Sequence, residues 1–234
     1  MKTFIHTLLC LTLCAGSSLS QKKKAGSMAP IEDDPALPRV LLIGDSISIA
    51  YTLPTRAALK GVANVHRIPT NGGATSKGLV SIDKWLGKQK WDVIHFNWGL
   101  HDLCYRNPES KMQGNRDKLN GKVAHSVESY AANLEKLVAR LEKTGAHLIF
   151  ATTTPVPEGE AGRKVGDDVR YNEAALGVMK TREVEVNDLH AVMAGKMPTY
   201  ATKPGDVHFK SEGSKLLAEQ VARSIKAALK LAEK

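Results

Sequence analysis

Short apolar runs alternate with longer segments of helical period from residue 39 onward. The predicted strands are residues 40–44, 64–68, 91–97, 147–152 and 183–186. Two of them, around residues 40–43 and 148–151, are almost continuously apolar, which is typical of parallel strands covered on both faces. The alternation of strands and helices therefore predicts an α/β fold with a parallel sheet.

Four segments have the spacing of amphipathic helices. Residues 126–144 carry one apolar stripe that ends before Gly145, and residues 211–234 carry another with lysines on the opposite face. Residues 168–181 and 76–86 complete the predicted helices. The apolar stripe of the first helix consists of Tyr130, Leu134, Leu137, Val138 and Leu141. Residues 107–124 form a long polar connection, and connections of this length often serve as lids or binding loops.

The first 38 residues have a different pattern. Lys2 precedes an apolar run over residues 4–15, which is short for a membrane span and is followed by small and polar residues. This predicts a secretory signal peptide over residues 1–20, hence a periplasmic or extracellular protein without a stable membrane anchor. Residues 21–38, with three lysines and three prolines, are expected to be a flexible linker. One domain follows, over residues 39–234.

Cysteine content and charge narrow the picture. Cys10 and Cys14 fall in the predicted signal peptide, so Cys104 is expected to be a buried thiol without a disulfide partner. The net charge of +9 falls to +8 when Lys2 is removed. Because the lysines are scattered and no arginine-rich strip occurs, we expect a solvated surface and no nucleic-acid partner. The histidines lack the HxH or HExxH spacing of a metal site, so no metal is expected.

Candidate catalytic residues lie where an open α/β sheet forms its sites, beyond the carboxyl ends of the strands. Ser46 follows the first strand, where a turn into a helix would expose its hydroxyl group and aim backbone N–H groups at an oxyanion. His208 lies just before the last helix. Each residue alone also suits a structural role, as a helix cap or a packed histidine. Together they are the nucleophile and base of acyl transfer.

Four segments, residues 44–48, 69–75, 97–102 and 205–209, resemble in this order the four sequence blocks of SGNH (GDSL-like) hydrolases. The resemblance covers residue 39 to the C-terminus. It implies a flavodoxin-like, three-layer α/β/α fold with a five-stranded parallel sheet. It also implies that Ser46 is the nucleophile, that the N–H groups of Ser46 and Gly73 form an oxyanion hole, and that His208 is the general base. No metal and no organic cofactor are implied.

The third block departs from the family pattern Gly-x-Asn-Asp. Here it is Gly99-Leu100-His101-Asp102, so His101 stands where the oxyanion-binding asparagine is expected. Asn97 is a second possible donor, because residues 97, 99 and 101 share one side of an extended chain. We expect Asn97 and His101 to act jointly.

The last block departs from the pattern Asp-x-x-His, because the residue three before His208 is glycine and Asp206 is two before it. Asp206 is the expected orienting acid. A backbone carbonyl group, or Asp188 after the fifth strand, are the alternatives, although Asp188 is mainly expected to cap the next helix.

Asp45 and Trp98 are the expected substrate contacts, since each adjoins a predicted site residue. Export and the lack of a long apolar lid favour a small-molecule or polysaccharide ester as substrate, with an acetyl group on a carbohydrate as the leading expectation. The alternatives are a lipid or thioester hydrolase, an acyltransferase of the same fold, or a catalytically idle carbohydrate-binding domain.

Overall fold

A five-stranded parallel sheet runs through residues 26–232, the part of the chain that the computed structural model describes. From edge to edge the strands are ordered β2, β1, β3, β6 and β7, and every pair is parallel. Their bounds are β1 Arg39–Ile43, β2 Asn64–Arg67, β3 Val93–Phe96, β6 His147–Ala151 and β7 Glu185–Asn187. The predicted fold class is confirmed, and each predicted strand is present.

Seven helices surround the sheet within the described residues: α1 Ser46–Ala58, α2 Thr75–Leu86, α3 Val127–Glu142, α4 Asp167–Thr181, α5 Leu189–Met193, α6 Met197–Tyr200 and α7 Ser211–Ala232. From β1 the chain passes to β2 at one edge of the sheet. It then continues through β3 and β6 to β7 at the opposite edge. Because parallel crossovers are right-handed, α1 lies on one face of the sheet and α2, α3 and α4 on the other. The helix α7 packs on α1 and completes the three layers.

The predicted apolar faces form the core. All five residues of the predicted α3 stripe are buried, as are the side chains of β1 from Val40 onward. Full burial of one such side chain contributes roughly 1.5–3 kcal/mol. The single cysteine of the described chain, Cys104, is a buried free thiol, as expected.

The long polar connection is folded rather than open. A short antiparallel hairpin closes it, in which β4 (Tyr105–Arg106), just before the connection, pairs with β5 (Lys122–Val123) near its end, and a 3₁₀ turn lies between them at Gln113–Asn115. We refer to residues 105–123 as the β4–β5 loop. Backbone hydrogen bonds from Tyr105 and Lys118 to residues 161–162 fix this loop to the segment that follows β6.

The described part of the expected linker, residues 26–38, is fastened to the domain. The Asn64 amide donates to the carbonyl groups of Asp34 and Leu37, at 2.8 and 3.0 Å, and accepts from the Asp34 N–H. The Asp33 carboxylate lies 2.7 Å from Arg39 Nε. These polar contacts to β1 and β2 differ from the free linker that was expected. The predicted signal peptide lies outside the described residues.

No helix among residues 26–232 combines the length and the apolar character needed to cross a bilayer.

Candidate active site

Ser46 is the first residue of α1, directly beyond the end of β1. Asp45 caps the helix, because its Oδ1 accepts from the Ile47 N–H at 2.9 Å. The first N–H groups of a helix have no partner within that helix, and they favour negative charge nearby. The Ser46 hydroxyl group therefore lies next to backbone N–H donors that suit an oxyanion.

His208 and Asp206 meet Ser46 from the far end of the chain. The Nε2 atom of His208 lies 2.9 Å from Ser46 Oγ. On the other side of the imidazole, Nδ1 lies 2.7 Å from Asp206 Oδ1. The structure thus brings the serine, histidine and carboxylate into one hydrogen-bonded chain, although the two-residue spacing of Asp206 and His208 is shorter than the family pattern.

The short loop before α7 is held by several contacts that fix Asp206 beneath the imidazole. Ala201 and Phe209 form a β-bridge, and Thr202 Oγ1 donates to Asp206 Oδ2 at 2.6 Å. Gly205 has a φ of 73°, and a Cβ there would lie 2.8 Å from the Gly159 carbonyl oxygen. Only glycine suits both the conformation and this close approach.

The Asp206 carboxylate is set to remain ionised. Burial alone would raise its pKa, but the hydrogen bonds from Thr202 and His208 outweigh burial and lower the pKa to about 2. A carboxylate in this state fixes the tautomer with a proton on His208 Nδ1, which leaves Nε2 able to accept the Ser46 proton.

Asp188, the alternative carboxylate, is used elsewhere. Its Oδ1 accepts from the Ala191 N–H and from Thr152 Oγ1, so it caps α5 as the sequence indicated. The acid that reaches His208 is Asp206.

His101 lines the same cleft as Ser46 and His208. Its Nε2 lies 4.0 Å from Asp45 Oδ2. Burial lowers the pKa of His101 against the attraction of Asp45, and the charges of Arg163 and Arg106 lower it further. The imidazole is therefore neutral near pH 7 and carries one N–H group that can donate.

Asn97 does not share that cleft. Its amide donates to the Ala151 carbonyl group at 2.7 Å, and its side chain lines a separate small cavity with Ser48 and Tyr51. The expectation that residues 97 and 101 point the same way assumed an extended chain. The chain turns instead at Gly99, whose carbonyl group accepts from the Asp102 N–H at 2.8 Å.

The same turn is tied to α2 through Asp102, the last residue of the third block. This buried carboxylate accepts from the N–H and the Oγ1 of Thr75, at 3.0 and 2.5 Å. Burial raises the pKa of Asp102 to about 7 despite these hydrogen bonds. Asp102 therefore positions the turn that carries His101.

Gly73 is placed as the family pattern implies, before α2, but its N–H already has a partner. It donates to Asn71 Oδ1 at 2.9 Å. Asn71 itself lines the cleft, and it was not predicted from the sequence as a site residue. The signal was present, because Asn71 lies in the second block two residues before Gly73.

Neither expected substrate contact lies in the cleft. Trp98 is only 1% exposed and packs against Gly78 of α2, where a Cβ would come within 2.8 Å of the indole ring. Asp45 is 2% exposed and is occupied as the cap of α1. Both predictions are corrected for the same reason, since each side chain points from its loop into the protein interior.

The cleft has a volume of about 490 Å³ and walls that the sequence did not single out. One wall belongs to the β4–β5 loop and contributes Arg106 and Arg116. Residues 159–163 contribute Arg163, and the His208 loop contributes Lys203. The cationic character of the cleft depends on how three distant segments meet. No cluster of three or more potential metal ligands occurs among residues 26–232.

Several solved structures of ester-cleaving proteins share this fold. An acetyl xylan esterase named AlAXEase superposes with a TM-score of 0.64 at 15% identity, over 80% of this chain and 99% of its own. A lipase/acylhydrolase from Enterococcus faecalis gives 0.65 at 18% identity, over 81% and 96%. An acetylxylan esterase from Geobacillus stearothermophilus gives 0.63 at 17% identity, over 80% and 94%. At these identities the likeness establishes the fold.

No curated protein matches the chain in sequence. Residues 42–216 match the GDSL-like lipase/acylhydrolase family, and this span includes Ser46, the turn at Gly99 and His208. It covers the end of β1, the other four strands of the sheet and the helices α1 to α6. The chain therefore belongs to the GDSL-like lipase/acylhydrolase family of SGNH fold, and it is a serine ester hydrolase.

Proposed function

We propose that this hydrolase removes a small acyl group, an acetyl group in the first place, from an esterified carbohydrate outside the cytoplasm. The observation that carries the catalytic assignment is the chain of contacts from Ser46 Oγ through His208 to Asp206, at 2.9 and 2.7 Å. Proton transfer requires this hydrogen-bond reach between nucleophile and base.

The reaction proceeds in two halves. His208 Nε2 takes the proton as Ser46 Oγ bonds to the acyl carbon, and the carbonyl electron pair moves onto oxygen. When the tetrahedral intermediate collapses, the bond to the sugar oxygen breaks and His208 returns the proton to that oxygen. Water, activated by His208, then attacks the acyl-enzyme, which releases the acid and restores Ser46.

The oxyanion of each intermediate is bound by the Ser46 N–H and by the neutral His101 imidazole. The Gly73 N–H becomes a third donor when the oxyanion replaces Asn71 Oδ1 as its acceptor. Preorganised donors of this kind supply a large part of the rate enhancement in acyl transfer.

A polar cleft supports a carbohydrate carrier. Seven of the fifteen other residues that line the cleft have charged or amide side chains, and two more are histidines. Two structural neighbours are acetyl xylan esterases, which favours an acetyl group as the acyl part of the substrate.

A longer acyl chain is the second candidate, because an apolar cavity of about 660 Å³ adjoins the cleft. It is lined by Val156, Met197 and Pro198, and it shares residues 203–205 with the cleft wall. An acyl chain of eight or more carbons would place its tail there.

The Ser46→Ala substitution tests the assignment. We expect it to abolish hydrolysis of 4-nitrophenyl esters and labelling by a fluorophosphonate, since both require the activated hydroxyl group. Ser129→Ala, at an exposed position of α3, is the matched control and should retain wild-type rates. Rates are measured for acyl chains of two to twelve carbons, together with acetate release from acetylated xylan.

Retention of appreciable ester hydrolysis by Ser46→Ala would remove Ser46 from the mechanism. A rate maximum at eight carbons or more would replace the acetyl ester by a lipid-like one. Failure of the wild-type protein to react with the fluorophosphonate would favour a domain that binds carbohydrate without turnover.

A further inference from the structure

Four cationic side chains line the cleft beside Ser46: Arg106, Arg116, Arg163 and Lys203. The single carboxylate among the lining residues is Asp206, which is already bound by His208 and Thr202. The cleft therefore has more positive side chains than its one lining carboxylate can offset.

One buried carboxylate offsets part of this charge. Glu160 is fully buried, and its Oε1 lies 2.8 Å from Arg163 Nη1 and 3.0 Å from Arg116 Nη1. The Gly162 N–H occupies the other oxygen at 2.6 Å. A single carboxylate thus serves two guanidinium groups, each of which has five N–H donors. Two positive charges therefore share one negative charge. Each guanidinium group is also held by a backbone carbonyl group, since Arg163 Nε donates to Leu100 at 2.7 Å and Arg116 Nε to Gln113 at 3.0 Å.

Arg106 and Lys203 have no carboxylate within ion-pair distance among residues 26–232. The Arg106 guanidinium donates to the Gly114 carbonyl group, which orients it without neutralising it. The four lining cations exceed by two charges the carboxylates of Asp206, which lines the cleft, and Glu160, which pairs with Arg116 and Arg163. A cleft of one sign with low-dielectric walls concentrates ligands of the opposite sign.

We propose that the ester substrate carries an anionic group, a carboxylate or sulfate on the glycan, that binds to Arg106 and Lys203, beside the buried Arg163, while the acyl group lies at Ser46. This inference rests on the proposed ester hydrolysis, because that reaction requires the acyl group of the substrate to lie at Ser46. The cleft volume of about 490 Å³ lies within the range of roughly 300–1,000 Å³ typical of ligand pockets, so the cleft is large enough for a sugar unit. Guanidinium groups suit such anions because they bind two oxygens at once.

The residues that line the cleft also favour a glycan over a nucleic acid as the ligand. None of them is Phe, Tyr or Trp. Single-stranded nucleic acids are usually bound by stacking of bases on aromatic side chains together with basic residues. The arginines here surround a catalytic serine rather than a stacking surface. The positive charge, which the sequence suggested was merely solvated, is in part assembled around Ser46.

Binding to the Ser46→Ala protein tests this proposal without turnover. The carboxylated ligand is acetylated polygalacturonate, and its neutral partner is the same polymer with its carboxyl groups reduced. An acetylated sulfated galactan and its desulfated form make the second pair. We expect at least one anionic polymer to bind about tenfold more tightly than its neutral partner, as one charged hydrogen bond can supply. The preference should weaken as salt is raised.

The double variant Arg106→Gln/Lys203→Gln, in the Ser46→Ala background, should lose most of that preference. Lys215→Gln/Lys226→Gln removes the same charge from exposed positions of α7 and should keep it. Equal binding of charged and neutral polymers in both pairs, or an equal loss in the two double variants, overturns the proposal. Because these measurements need no catalysis, they stand apart from the Ser46→Ala test of hydrolysis.

Discussion

At the scale of single residues, His101 is the clearest departure from the family pattern inside the catalytic cleft. An asparagine amide is neutral at every pH, whereas an imidazole can become charged. Burial lowers the pKa of His101, so the side chain remains neutral near pH 7 and can donate as an amide would. Its contact at 4.0 Å with Asp45 links it to the cap of the helix that begins at Ser46.

His101→Ala should lower kcat for 4-nitrophenyl acetate about 100- to 1000-fold, the typical loss for one oxyanion donor. KM should change little, because the donor acts mainly on the transition state. His101→Asn, which restores an amide donor, should recover part of the rate. His147→Ala is the control, because His147 begins β6, at the end of the strand opposite the catalytic loops, and pairs with Glu185. Equal rates for the two alanine variants would exclude His101 as a donor.

Single residues also mark the limits of prediction from sequence. Ser46, His208 and Asp206 could be found because each adjoins the end of a legible strand or the start of a legible helix. The locations expected for Asn97 and Trp98 were wrong, because a local turn at Gly99 decides which way the side chains on either side of it point. No periodicity in the sequence shows such a turn.

At the scale of elements, Glu160 joins the β4–β5 loop to the segment after β6. Its carboxylate binds Arg116 of that loop and Arg163 of its own segment, with no exposure to solvent. The sequence indicated a long polar connection but not this attachment. Two-residue strands such as β4 and β5 are too short to show a pattern, and the ion pair of Arg116 with Glu160 joins residues 44 positions apart.

Glu160→Gln should lower the free energy of unfolding by about 3–5 kcal/mol, since it leaves two buried or half-buried guanidinium groups without their counter-charge. Urea denaturation measures the change. Glu158→Gln, two residues away and exposed, should stay within about 0.5 kcal/mol of the wild type. A loss no larger than that of the control would mean that Glu160 does not stabilise the loop.

At the scale of the whole molecule, the parallel sheet and the helices α2, α3, α4 and α7 followed from hydrophobic periodicity. The apolar runs that predicted β1 and β6 lie in the centre of the sheet, where both faces are covered. The distribution of charge could not be foreseen in the same way. The arginines of the cleft come from separate segments, so their convergence is a property of the fold rather than of any local sequence.

Export is a property of the whole chain, and we propose it from residues 1–20. Expression of the full sequence in a bacterial host with a secretion pathway should yield a mature protein whose N-terminus lies near residue 21. N-terminal sequencing of the protein recovered outside the cytoplasm measures this. Replacement of three leucines of the apolar run by glutamine should retain the protein, unprocessed, in the cytoplasm. Recovery of full-length chain outside the cytoplasm would contradict cleavage.

The β4–β5 loop has a consequence for how this enzyme could diversify. Because β4 pairs with β5, the loop leaves and re-enters the fold at neighbouring points. A segment with adjacent ends can change length and composition over generations while the frame around it is conserved. Mutation of this one stretch would remodel one wall of the cleft, whereas Ser46 and His208 belong to other segments of the chain. The substrate specificity of the enzyme can thus change by mutation of this loop while the catalytic residues are retained.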